Sequence, residues 1–146
     1  GLAVAMAPAG GWVGITGEVT LPMIILCTAV ALWIGGFDAI YGSQDEAFDK
    51  SHGLHSLAVR YGAAGAFRIA VVLHIICIIC FFAIGIMLNL GWPYFTGVGI
   101  AAGTLIYQHQ IVSPTDFSRV TQKYFMRNGI VSVAIFLCTW LSFCVK

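Results

Sequence analysis

The sequence predicts an all-α fold, a multi-pass bundle of membrane-spanning helices, and three observations predict it. Of its 146 residues, 60% are hydrophobic and only 9% are charged, with a mean hydropathy of +0.93. A soluble domain carries about 25% charged residues, so this chain lacks the polar surface to cover a water-facing globule. The apolar residues also come in runs of membrane length: from Ile69 to Thr115 there is no Asp, Glu, Lys or Arg. The third observation is the placing of the basic residues, which follows once the spans are counted.

Gly1 to Gly17 is uncharged, rich in Gly and Ala, and nearly long enough for a spanning helix at about 1.5 Å per residue. It has no charged segment followed by a cleavage site, so it is not a signal peptide. It reads as the middle of a protein, opened part-way along. Gly17-Glu18 and Pro22 mark a turn, and the second span runs from about Leu21 to Tyr41. Gly35-Gly36 within it either permits close packing or loosens the helix. The polar segment Gly42 to Arg68 follows. Asn89-Leu90-Gly91-Trp92-Pro93 then divides the long apolar run into a third span, Ile69–Leu88, and a fourth, Trp92–Val112. Ser113-Pro114-Thr115-Asp116 opens a short helix with Arg119, Lys123 and Arg127 on one basic face, an anchor for anionic headgroups or phosphate. Gly129 to Val145 is the fifth span.

Alternating spans put Lys50, Arg60, Arg68, Arg119, Lys123 and Arg127 on one side and only Lys146 on the other. By the positive-inside rule that side is cytoplasmic. Residues 1–146 read as one domain or a piece of one. No basic patch with interleaved aromatics suggests nucleic acid, and there is no Ser-His-Asp grouping, P-loop or dinucleotide fingerprint. The five cysteines, including Cys77-x-x-Cys80, lie in apolar runs and read as packing residues.

Chemistry concentrates between Phe37 and Lys50, which hold four of the six acidic residues. If the second helix continues through, Asp38, Tyr41, Asp45 and Asp49 fall along one stripe. Like charges four apart repel, so the stripe needs a cation. Hard oxygen ligands at a membrane surface suit Mg²⁺, with water and phosphate completing its shell. The other reading is a solvated acidic loop paired with Lys50, Arg60 and Arg68. Asp38 sits beside the apolar span, where an ionisable residue is functional by default. Gly53-Leu54-His55-Ser56 reads as a tight turn bringing a hydroxyl and an imidazole near the stripe, or simply as a loop returning to the membrane. His52 and His55 lack a third soft ligand for zinc. His74 and His109 read as hydrogen-bonded packing residues, with His109 also able to face the active cavity.

Phe37-Asp38-x-x-Tyr41-x-x-Gln44-Asp45-x-x-Phe48-Asp49, followed by Gly53-Leu54-His55-Ser56 and Arg60-x-Gly62, resembles the second aspartate-rich motif of the UbiA-type membrane aromatic prenyltransferases. Ala7-Pro8-x-Gly10-x-Trp12, Tyr107-x-His109, Val112-x-Pro114-x-Asp116 and Phe125-x-x-Asn128-Gly129 extend the resemblance over nearly the whole chain. The pattern closest to it is that of bacterial 4-hydroxybenzoate polyprenyltransferase-like proteins. The resemblance implies about nine helices in the intact protein, of which this chain holds the last five. It also implies a first motif, N-D-x-x-D-x-x-x-D, on an amino-terminal half that is this chain's necessary partner. Neither Asn89 nor Asn128 precedes an Asp, so the chain alone is expected to be an inactive carboxy-terminal fragment. The implied activity is Mg²⁺-dependent transfer of a polyprenyl group from its diphosphate to an aromatic acid for ubiquinone, or to a naphthoate for menaquinone. Asp45 and Asp49 are then the Mg²⁺ ligands, Asp38 and Tyr41 the catalytic supports, and Lys50 and Arg60 the diphosphate contacts. The implied location is a bacterial inner membrane, with the acidic motif facing the cytoplasm. Outside the family, a membrane subunit binding or transporting ions also fits the stripe.

Overall fold

The computed structural model describes residues 1–114 and 122–145, and the side chains of all of these except 122–126. In lipid every backbone N–H and C=O must find its partner within the protein, and the chain meets this demand with helices. They are α1 (Leu2–Thr16), α2 (Leu21–Tyr41), α3 (Glu46–Ser51), α4 (Leu57–Met87), α5 (Trp92–Ile111) and α6 (Gln122–Cys144). Among the described residues there is no strand. The short helix expected after Pro114, with Arg119 and the Lys123 side chain, lies outside the described residues.

Local sequence sets the helix ends. Gly17 closes α1 with φ 71°, donating its N–H to Val13. Pro22 and Pro93 stand in the first turns of α2 and α5, where a missing N–H costs nothing. Ser56 caps α4 by accepting the Val59 N–H at 3.2 Å. The helices pack as neighbours in chain order, α1 on α2, α2 on α4, α4 on α5 and α5 on α6. Their shared core holds Ala29, Trp33, Phe81, Tyr94, Leu105 and Val131. A second cluster around Phe37, Ile40, Phe67 and Val112 sits towards the acidic end. The outside is equally apolar: Ile79, Ile106, Phe136 and Trp140 are each at least 60% exposed, as a lipid-facing surface requires.

By length and composition, three of the described helical stretches can cross a membrane: Leu21–Ser51, Leu57–Met87 and Arg127–Cys144. The first includes the acidic turn and α3. At 15 residues α1 is shorter, and α5 has 20 residues but carries Gln108, His109 and Gln110 in its last turn. Each of the five expected apolar segments is thus helical. The segment expected as a polar loop is largely helical too: α4 begins at Leu57 rather than Ile69, carrying Arg60 and Arg68 on its first turns. That long helix is broken once, at Gly62, where φ is 71° and ψ 164°. Such a conformation is essentially restricted to glycine.

Candidate functional site

The acidic segment is not one straight helix. α2 ends at Tyr41, and a 3₁₀ turn of 4 residues, Gly42–Asp45, precedes α3. A 3₁₀ turn advances about 120° per residue against about 100° in an α-helix, so over this turn the following side chains rotate by roughly 80°. The expected stripe of Asp38, Tyr41, Asp45 and Asp49 is therefore bent. Asp38, Tyr41, Asp45, Lys50 and Arg60 are exposed, and Asp49 is half-buried. Asp38 Oδ2 lies 3.1 Å from the Gly1 nitrogen, and no ion pair joins two side chains among the described residues. There, Lys50, Arg60 and Arg68 form no ion pair with these carboxylates; Arg60 instead lies over the Tyr61 ring, 5.2 Å from its centroid. Nor do three Asp, Glu, His or Cys side chains among the described residues converge into a metal cage. What the turn offers is carboxylates with open oxygens, suited to a cation that draws its other ligands from water and substrate.

Two clefts adjoin it. Asp38, Gly35 and Gly42 face Ser56 and Leu57 across one of about 170 Å³, and His55, Ser56 and Arg60 line another. Beyond the turn at Gly53, with φ 68°, Ser56 lines the cleft of Asp38 while its hydroxyl accepts the Val59 N–H, and His55 lines the other cleft. His52 is held locally, stacked on Phe48 with ring centroids 4.0 Å apart.

Below the carboxylates the chemistry changes. An apolar cavity of about 430 Å³ runs among the helices, lined by Trp12, Trp33, Phe81, Tyr94, Phe136 and Phe143 with aliphatic neighbours. Trp33 is five positions before Asp38 on α2, a rise of about 7.5 Å. Carboxylates and aromatic cavity therefore occupy successive levels of α2, on sides of the helix about 140° apart at Trp33 and Asp38.

Between them lies a polar network. His74 on α4 hydrogen-bonds the Trp33 carbonyl through Nε2 at 3.2 Å and His109 on α5 through Nδ1 at 2.8 Å. The Trp33 indole N–H donates to Asn128 Oδ1 at 3.2 Å, and the Gln108 amide reaches the same oxygen at 3.5 Å. His74 approaches α2 because residue 36 is glycine: a Cβ there would lie 2.5 Å from His74 Nε2. Gly36 thus serves close packing.

Sequence reasoning missed Glu46. Its carboxylate accepts the Ala63 N–H at 3.1 Å, capping the helix that restarts after Gly62. A lone glycine in a helical pattern signals the break, but nothing in the sequence pairs it with an acid 17 residues earlier. Gln108 and the role of Asn128 were also missed, since single amides in apolar runs carry no periodic signal. His74 and His109 are hydrogen-bonded packing residues as expected, and their partners are each other.

No solved structure matches the chain. Among curated proteins, it is 32% identical over 135 residues to a 4-hydroxybenzoate octaprenyltransferase of Nitrosospira multiformis, covering 90% of this chain and 44% of that one. It is 30% identical to a 4-hydroxybenzoate solanesyltransferase of Synechocystis sp., covering 89% and 46%. With a 4-hydroxybenzoate geranyltransferase of Lithospermum erythrorhizon it shares 34% identity, covering 64% and 32%. The chain spans about half the length, or less, of these curated relatives. The model of the UbiA prenyltransferase family matches residues 1–143, through the acidic turn, the glycine break and the polar network alike, so the chain is a member of that family.

Proposed function

We propose that this chain carries one side of the active site of an enzyme that transfers a polyprenyl group from an isoprenoid diphosphate to an aromatic acid such as 4-hydroxybenzoate, in quinone biosynthesis. The observation that carries this reading is the pairing along α2 of two unlike environments. At its polar end are carboxylates with no cationic side chain paired to them among the described residues, and beneath them is an aromatic-lined cavity. Family membership and the relatives' names support it.

Asp45 and Asp49 hold Mg²⁺ through hard oxygens that leave coordination positions open to diphosphate. Held there, Mg²⁺ would supply positive charge against the departing diphosphate. Lys50 and Arg60 contact diphosphate oxygens, Arg60 from the first turn of α4, where the helix end adds partial positive charge. Asp38 and Tyr41 orient the reacting groups at the acidic end of α2. The cavity takes the prenyl chain and keeps water from the allylic cation formed when the C–O bond breaks. Its aromatic faces attract that cation. The ring carbon beside the acceptor's hydroxyl then forms the new C–C bond and loses its proton. The six-to-one charge bias supports a cytoplasmic acidic end, in a bacterial inner membrane.

The test is a transfer assay on the full-length protein in membranes, following diphosphate release and prenylated acid with and without Mg²⁺. Both are expected with 4-hydroxybenzoate. Turnover on a dihydroxynaphthoate alone moves the reading to menaquinone synthesis. An ion flux that persists without prenyl donor, with no transfer, replaces it by a transport subunit.

A further inference from the structure

A second cavity shares no lining residue with the aromatic one, although the His74–His109 pair of the polar network forms part of its wall. It is a groove of about 540 Å³ between α4 and α5, with aliphatic walls that include Val71, Ile75, Ile79 and Ile106. That volume is within the usual range for a small-molecule site. Two features separate the groove from an ordinary lipid-facing crease. Its wall includes the bonded pair of imidazoles, His74 and His109, and Gln110. Its polar residues also gather at one end: His109 and Gln110 are in the last turn of α5, while Ala102, Ile78 and Ile79 lie deeper.

The hydrogen bonds fix what the pair offers. The Trp33 carbonyl can only accept, so His74 Nε2 carries a proton. With both rings uncharged, His74 Nδ1 is then an acceptor and His109 Nε2 donates to it. That leaves Nδ1 of His109 as an acceptor, without a partner among the described residues, on a ring that lines the groove. An acceptor in apolar surroundings favours a ligand that donates a hydrogen bond. Lipid acyl chains have no such group, and a phenol does.

We infer that the α4–α5 groove binds a phenol bearing an isoprenoid chain beside its hydroxyl, with the hydroxyl donating to His109 Nδ1. The chain lies along Ile75, Ile79 and Ile106, and an acidic ring substituent is directed towards Gln110 and the polar end. The inference rests on the proposed function for its ligand, because prenylation beside the hydroxyl yields this arrangement of groups. The groove is then a holding site for product, apart from the aromatic cavity.

The test is equilibrium binding by calorimetry, with the full-length protein in lipid nanodiscs and no diphosphate donor present. The probes are 3-geranyl-4-hydroxybenzoate and its phenolic methyl ether. The phenol is expected to bind about tenfold more tightly than the ether, the worth of one hydrogen bond in an apolar site. His109→Leu removes that difference. His109→Gln keeps most of it, because the amide can donate to His74 and still accept from the phenol. Ile75→Trp fills the groove without touching the histidine pair and weakens both probes at least tenfold. Equal affinity for phenol and ether in the parent protein overturns the inference, and so does unchanged binding in Ile75→Trp. Transfer assayed on the same preparation reports separately on the proposed function: absent transfer with intact His109-dependent binding breaks that reading alone.

Discussion

The two ends of the bundle solve the same problem in opposite ways. At the α4–α5 turn the protein satisfies its own polar groups. The Tyr94 hydroxyl donates to the Phe81 carbonyl at 2.7 Å, and the Gly91 N–H donates to Ser142 Oγ at 2.6 Å. At the acidic end α2 stops at Tyr41, α4 breaks at Gly62, and Asp45 and Asp49 have no ion-pair partner among the described residues. The α4–α5 turn is closed by internal hydrogen bonds, while Asp45 and Asp49 at the other end are left without an ionic partner among the described residues. On the proposed function, ligand chemistry belongs to the acidic end and fold stability to the other, and substitutions can separate them.

The sharpest separation is expected at the carboxylates. Asp45→Asn or Asp49→Asn lowers prenyl transfer by about 10²–10³-fold, the scale of losing one electrostatic support, and leaves the melting temperature in detergent unchanged. A thermal shift as large as the activity loss would show that these residues hold the fold. Next is Gly36→Ala, whose added carbon displaces His74 and costs about 1–3 kcal/mol of stability. The double variant Gly36→Ala/His74→Ala recovers part of that in a denaturation series, which a purely local effect on α2 would not do. Ser142→Ala strips the Gly91 N–H of its partner at the closed end and costs about 1–3 kcal/mol. Diphosphate release per folded molecule should stay as it was, and a fall in it would show that the ends are coupled. The smallest effect is at Glu46. Removing this cap with Glu46→Ala costs about 1 kcal/mol, while Glu46→Gln, still able to accept from Ala63, is nearly silent. A Gln variant as damaging as Ala would mean that the carboxylate's charge is needed.

What was legible in the sequence follows from the same contrast. Lipid permits few backbone solutions, so the apolar run from Leu21 to Tyr41, with Asp38 its one charged residue, is a helix with those ends, and Trp92 opens α5 as its Pro-containing turn suggests. The acidic motif was legible because its carboxylates are close in sequence. The polar segment was misread as a loop because Arg60, Gly62 and Arg68 interrupt the apolar pattern, although helix resumes on both sides of the glycine. The 3₁₀ turn was hidden because Gly42-Ser43-Gln44-Asp45 fits an α-helix nearly as well. Glu46 with Ala63, His74 with His109 and Trp33 with Asn128 were out of reach, since each joins residues from different helices. Such pairs depend on the packing of helices, which periodicity does not encode.

Gly36 and His74 also have a consequence for the family's history. A Cβ at 36 would meet the His74 imidazole where it now stands, so a larger residue at 36 requires the ring at 74 to move or shrink. Relatives that carry a larger residue at 36 are expected to carry a smaller one at 74, which an alignment of the family would check. Where 74 has shrunk, the Trp33 carbonyl loses its ring partner, and the position corresponding to His109 is the third expected to change.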